Sequence, residues 1–236
     1  MRSVVLSVFA LFAIAAAVVG GPAARAAENH AALTKAAAEH AIKRLIGYVK
    51  SDPYMKVVRT YIHGGAHQID PKCKAKILNR SGFVILAMPE FKAGVAHPVA
   101  GAWKDLFQVD RCGHNVTFNV LATARPDKPP KIGLLLPGET GAPVAMQTQG
   151  KVEAAALTLG MKAAACRNPS TAIIADTRLQ KVLIPAKLDK QGHVISGAWR
   201  EIWSVEACDK TEPVAIIFHV QKNRISFKAE PVSRKK

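Results

Sequence analysis

The sequence predicts an α+β fold dominated by β-structure, with an N-terminal helical arm and two homologous β-rich repeat units. Three observations lead there. Helix-period apolar spacing is confined to the early part of the chain. Short apolar runs broken by turn residues follow it. One segment, residues 97–112, then returns at residues 193–208. The chain has 236 residues, 49% of them hydrophobic and 21% charged, with a formal net charge of +16. That apolar content excludes a disordered chain. A single long apolar run, at the very start, excludes a polytopic membrane protein.

Taken in order, residues 1–26 read as a secretory signal peptide. Arg2 precedes an apolar stretch over residues 4–19, Gly20, Gly21 and Pro22 break it, and Ala24-Arg25-Ala26 supplies the small residues of a cleavage site after Ala26. The stretch is shorter than the roughly 20 residues a bilayer span needs. Cleavage would remove Arg2 and Arg25 and no acid, taking the charge from +16 to +14. The expected location is therefore the periplasm or the medium. A cationic excess there favours anionic envelope components, with nucleic acid out of reach.

Residues 27–63 form the expected helical arm. Ala38, Ile42, Leu45 and Val49 fall on one helical face, and Glu39 precedes Lys43 by four residues. Ser51-Asp52-Pro53 stops this helix and starts another, with Asp52 as cap and Pro53 in the first turn. Tyr54, Val57, Val58 and Tyr61 make its apolar side, and Gly64-Gly65 ends it.

The first repeat unit covers residues 64–140 and the second residues 141–236. Strands are expected at 82–86, 103–109, 116–122, 173–175, 199–205, 214–220 and 225–227, with a hairpin loop at residues 221–224. The proline-rich, basic stretch 124–131 reads as a surface connection, and 136–142 as the linker between the units. Residues 151–165 stay ambiguous: alanines favour helix, and Gly160 weakens it.

Within the repeat, His97, Gly101, Ala102, Trp103, Val109 and Cys112 match His193, Gly197, Ala198, Trp199, Val205 and Cys208 without a gap. Cys73 precedes the first copy and Cys166 the second, at similar distances. Four cysteines allow three pairings. Cys73–Cys112 and Cys166–Cys208 are expected, because a repeat is most simply stapled within itself. Each would close a loop of about 40 residues, worth roughly 4 kcal/mol on the chain-entropy account. Period-two alternation puts Trp103, Asp105, Phe107 and Val109 on one strand face, and Trp199, Glu201, Trp203 and Val205 on its counterpart. Gly101 and Gly197 would mark a bend leading into each strand.

The face admits two readings. Its aromatics pack inward while each carboxylate pairs with a neighbouring cation, or Trp103, Asp105, Phe107, Trp199, Glu201 and Trp203 form a shallow binding platform. These motifs resemble small exported proteobacterial proteins that carry a W-x-[DE]-x-[FW]-x-V-x-x-C strand with a second cysteine upstream. The resemblance implies export and β-structure and carries no catalytic residue.

Chemistry-bearing motifs are sparse. His63 and His67 have zinc-like spacing, but Gly64-Gly65 between them predicts a turn, and no third ligand is fixed. His97 and His193 belong to the repeat. Nucleophile-elbow, P-loop, zincin and dinucleotide fingerprints do not occur. Asp105, Asp110, Glu201 and Glu206 recur in equivalent places, which suits structure or paired binding faces better than one active site. No catalytic residue, metal or cofactor is assigned. The expected function is a non-catalytic cell-envelope protein that binds an acidic envelope component or a partner protein, with peripheral membrane contact. The alternatives are a periplasmic hydrolase and a carrier of an apolar ligand.

Overall fold

The computed structural model describes residues 22–188, 194–222 and 224–232. Most of the signal-peptide reading, His193 and the last four residues of the second repeat unit, 233–236, lie outside those residues. The chain divides into Met1–His40 and Ala41–Lys236, and the second part is one compact unit.

Helix α1 runs Pro22–Val49 and α2 runs Asp52–Ile69. Four strands follow as an antiparallel meander: β1 Lys76–Glu90, β2 Ala100–Arg111, β3 His114–Arg125 and β4 Lys128–Leu134. A short helix α3, Val144–Thr148, and α4, Lys151–Ala164, lead into a second meander. Its strands are β5 Ile173–Leu188, β6 Val194–Ala207, β7 Lys210–Gln221 and β8 Arg224–Pro231. Each repeat is therefore a helix laid across a four-stranded sheet.

The strand expectations at 82–86, 103–109, 116–122, 173–175, 199–205, 214–220 and 225–227 all fall inside observed strands. The surface connection at 124–131 does not stand. β3 extends to Arg125, and β4 starts at Lys128 as an edge strand carrying Pro129 and Pro130. Proline is tolerated there because one side of an edge strand needs no ladder donor. The ambiguous stretch is helical: α4 closes at Ala165 with φ +55, where Cys166 N donates to Met161 O.

Helix α2 corrects three expectations. Ser51 is its N-cap, with Asp52 already in the first turn. Its buried stripe is Tyr54, Val58, Ile62 and Ala66, whereas Val57 and Tyr61 are each 43% exposed. Spacing of four keeps one stripe on the sheet and turns the neighbouring residues outward. Gly64-Gly65 does not end the helix. Gly65 sits where α2 meets the sheet: an added Cβ would lie 2.3 Å from Leu134 Cδ1. Glycine here is a contact surface, and helix hydrogen bonding continues through it.

Two separate cores result. The first joins Leu45 and Val49 of α1 and the α2 stripe to Trp103, Phe107, Phe118 and Val120. The second joins Val152 and Ala156 of α4 to Trp203, Val205, Ile216 and Phe218. Each sheet buries its apolar face under its own helix, so the two sheets do not pack face to face.

Disulfides Cys73–Cys112 and Cys166–Cys208 close with Cα separations of 5.7 and 5.6 Å. Both staple matching two-residue hairpin turns. Cys112 and Gly113 have φ +51 and +87, and Cys208 and Asp209 have +48 and +61, the mirror-image turn that suits the twist of flanking strands. Gly101 and Gly197 have φ +107 and +151, each beside a register break against β1 or β5.

Residues 135–141 form a bonded strap between the repeats. Gly138 N donates to Thr117 O of β3 and Glu139 N to Thr177 O of β5, each at 2.7 Å. Asn119 Nδ2 holds the carbonyls of Leu136 and Gly138. Arg111 adds a 3.0 Å ion pair to Glu206 across the repeats.

Candidate functional site

Strand alternation delivers Trp103, Asp105, Phe107, Trp203 and Glu201 to the cores, all at most 1% exposed. Trp199 is partly buried. They do not form one surface: Trp103, Asp105 and Phe107 lie on the side of the first core, and Trp199, Glu201 and Trp203 on that of the second, where Gly141 of the strap lies against Trp199 and Glu201. A shallow platform is thus not what these side chains present, because each sheet's apolar face is roofed by its helix.

The two equivalent carboxylates are held differently. Asp105 Oδ1 lies 2.8 Å from Arg80 Nε, an ion pair, and Oδ2 accepts from Tyr54 OH at 3.3 Å. Trp103 Nε1 donates to Tyr54 OH at 3.1 Å, and Arg80 Nη2 donates to Val49 O at 2.7 Å. Burial pushes Asp105 up to about 6, with Arg80 opposing the shift. Burial, then the Asp105 charge, raises the Tyr54 phenol. Glu201 instead accepts three donors at 2.7 Å: Trp199 Nε1 and Gly141 N on Oε1, and Trp203 Nε1 on Oε2. Strand register makes Arg80 and Thr177 counterparts, since they face Phe107 and Trp203. Arg80 grips the end of α1 through Val49 O, and Thr177 grips the strap through Pro137 O.

A general base needs a lone pair aimed at a substrate proton. Here the carboxylate oxygens are aimed at protein donors, which is the arrangement of a structural anchor. Of the other recurring acids, Asp110 accepts from Gly113 N in the hairpin turn and Glu206 pairs with Arg111.

His63 and His67 stand one helical turn apart on α2, both exposed, in place of the expected turn. Among the described residues no third ligand joins them. The one group of three ligand-type residues there is Asp70, Cys73 and Cys112, whose sulfurs are bonded to each other.

Two hollows open on the first repeat. One, about 570 Å³, lies between the α1–α2 corner, the β1–β2 connection and β4. Arg44, Tyr48, Phe91, His97 and Pro130 are among its walls. The other, about 400 Å³, is lined by Lys50, Arg59 and Arg80 together with Met55, Leu78 and Phe107. Among the described residues neither is lined by a carboxylate. Tyr54 faces the first and Arg80 the second, so the Asp105 network separates them. Sequence reasoning missed the larger hollow because its walls come from four separate segments with no shared motif.

Edge strands are the other exposed feature. On β1, Leu78, Val84, Leu86 and Met88 are 43–48% exposed. On β5, Leu179, Val182, Leu183, Ile184 and Leu188 are 42–55% exposed. Arg178, Lys181 and Lys187 lie among the latter, and residues 177–188 contain no acid.

The paired disulfides place the folded chain in an oxidising, extracytoplasmic compartment. Among the described residues no helix is long and apolar enough to cross a membrane. Comparison of the chain with protein-family models, curated proteins and solved structures finds no match.

Proposed function

We propose that this is a non-catalytic cell-envelope protein, periplasmic or secreted, that holds an acidic envelope component or an acidic partner protein on its cationic surface. One observation carries the reading. The outer part of the second repeat's edge strand, residues 177–188, exposes apolar side chains interleaved with Lys181 and Lys187 and contains no acid, while Arg178 at its start pairs with Asp176 at 2.7 Å. Asp105 and Glu201, the equivalent carboxylates of the repeated strand, are enclosed in the two cores. Edge strands are commonly guarded by lysine, proline and bulges, and β5 carries all three. Guarding against self-pairing leaves the strand free for a partner of opposite charge. The resemblance to exported proteobacterial proteins points to the same compartment.

Co-sedimentation with lipopolysaccharide or phosphatidylglycerol vesicles tests this. Retention at low salt should fall steeply as the screening length shrinks from about 30 Å at 0.01 M to about 10 Å at 0.1 M. Absence of binding to any anionic envelope preparation at low salt would remove the reading.

A further inference from the structure

We propose that the larger hollow of the first repeat is a binding site for a single-chain amphiphile with an anionic head. The site is separate from the β5 edge, so it stands or falls without the polyanion reading. Its volume, about 570 Å³, lies in the range of small-molecule sites. Its walls are mostly apolar and aromatic: Tyr48 of α1, Phe91 of the β1–β2 connection, and Pro130 and Ile132 of β4. Such a surface takes an acyl chain.

The head group is chosen by charge. Among the described residues Arg44 is the one arginine or lysine on the walls, and no aspartate or glutamate lines them. Its guanidinium lies 4.3 Å over the Phe91 ring, which fixes its position. Among the described residues its one hydrogen bond is a long 3.4 Å contact to Val95 O. Most of a guanidinium's five N–H donors therefore remain for a carboxylate or phosphate at the groove. A neutral amphiphile would use the walls and leave Arg44 unused. A dianionic or highly charged ligand would find a single fixed cation.

Gly47 supplies a test that leaves the fold intact. It lies on α1 at the groove wall, and an added Cβ meets nothing within 4 Å. Gly47→Leu therefore fills the groove while improving helix propensity. Calorimetric titration of the oxidised full chain would use three probes below their micelle concentrations: decanoate, decanoyl lysophosphatidylglycerol and decanol. At least one anionic probe should bind with a stoichiometry of one, and whichever binds tighter distinguishes a free fatty acid from a lysolipid source. Decanol should bind about tenfold more weakly, and Arg44→Gln should weaken the anionic probe by about the same factor. Gly47→Leu should weaken it by about thirtyfold or more without lowering the thermal midpoint. Three results would overturn the proposal: no binding of either anion, equal binding by Gly47→Leu, or many anions per chain regardless of variant, which is adsorption to the basic surface.

Discussion

Asp105 and Glu201 occupy one position of a duplicated strand, yet their surroundings have diverged. Asp105 relies on Arg80 and Tyr54, and Glu201 on two indoles and a strap amide. Each arrangement predicts a distinct response. Asp105 is raised from 3.8 to about 6 by burial. Below about pH 4 it is protonated in folded and unfolded chains alike and costs nothing. Between about pH 4 and 6 the unfolded chain loses the proton first, so stability falls as pH rises, by of order 2–3 kcal/mol in all, and is level above. The difference between wild-type and Asp105→Asn midpoints should trace that fall, and a difference independent of pH would contradict it. Glu201→Ala instead strands two indole N–H groups and the Gly141 amide. Urea unfolding should register a loss of about 3–5 kcal/mol. A loss below about 1 kcal/mol would mean that water replaces the carboxylate. The alternation that buries both acids was legible in the sequence; the expected pairing of each carboxylate with a neighbouring-strand cation holds for Asp105 through Arg80 on β1, whereas Glu201 is held by indole and backbone N–H donors. Spacing places Tyr54 on the apolar side of α2, and its phenolic role depends on an approach between distant segments that spacing does not encode.

At the level of elements, glycines in helices separate two physical jobs. Gly160 in α4 faces β6, where an added Cβ would lie 2.4 Å from Val205 Cβ and Cγ1. Valine is branched at that carbon and cannot swing aside. Gly160→Ala should therefore destabilise by about 1–3 kcal/mol in spite of better helix propensity. Gly64 in α2 is exposed with nothing within 4 Å of an added Cβ. Gly64→Ala should stabilise by up to about 1 kcal/mol. Thermal melts of the pair decide it: alanine gains at both sites would show that α4 does not approach β6 so closely. The same distinction explains what the sequence withheld. Period-two runs announce seven strands because their inner faces are apolar. β4 is hidden because Pro129 and Pro130 mimic a connection, and the sequence expectation stops α2 at Gly64-Gly65 because a packing glycine and a terminating glycine look alike in one dimension. The groove is least legible of all, since α1, α2, β4 and the β1–β2 connection each contribute residues that are ordinary by themselves.

For the whole molecule, the question is what makes two helix-on-sheet repeats behave as one body. Each repeat has its own core and its own disulfide, which on the chain-entropy account contributes about 4 kcal/mol. Nothing in those features couples one repeat to the other. Coupling falls to Arg111–Glu206 and to the strap, whose Gly138 and Glu139 amides bond one sheet each. Gly138 is the critical position. Its φ is +91, and an added Cβ would sit 2.2 Å from Thr177 O and 2.4 Å from Thr177 N. Backbone atoms within a strand have no rotamer to yield, so Gly138→Ala must push the strap off β5. The strained φ alone costs about 1–2 kcal/mol, and the Glu139–Thr177 and Thr140–Thr177 bonds would go with it. Differential scanning calorimetry of the oxidised wild-type chain should give one transition, and Gly138→Ala two, with the disulfides intact in both. Gly94 is the control: φ is +73 with open space around it, so Gly94→Ala bears the φ cost without touching the strap and should keep a single transition. If Gly138→Ala also melts once, the repeats are joined by Arg111–Glu206 or by their buried strap carbonyls rather than by the close approach at Gly138. Arg111→Ala combined with Gly138→Ala would then locate the coupling.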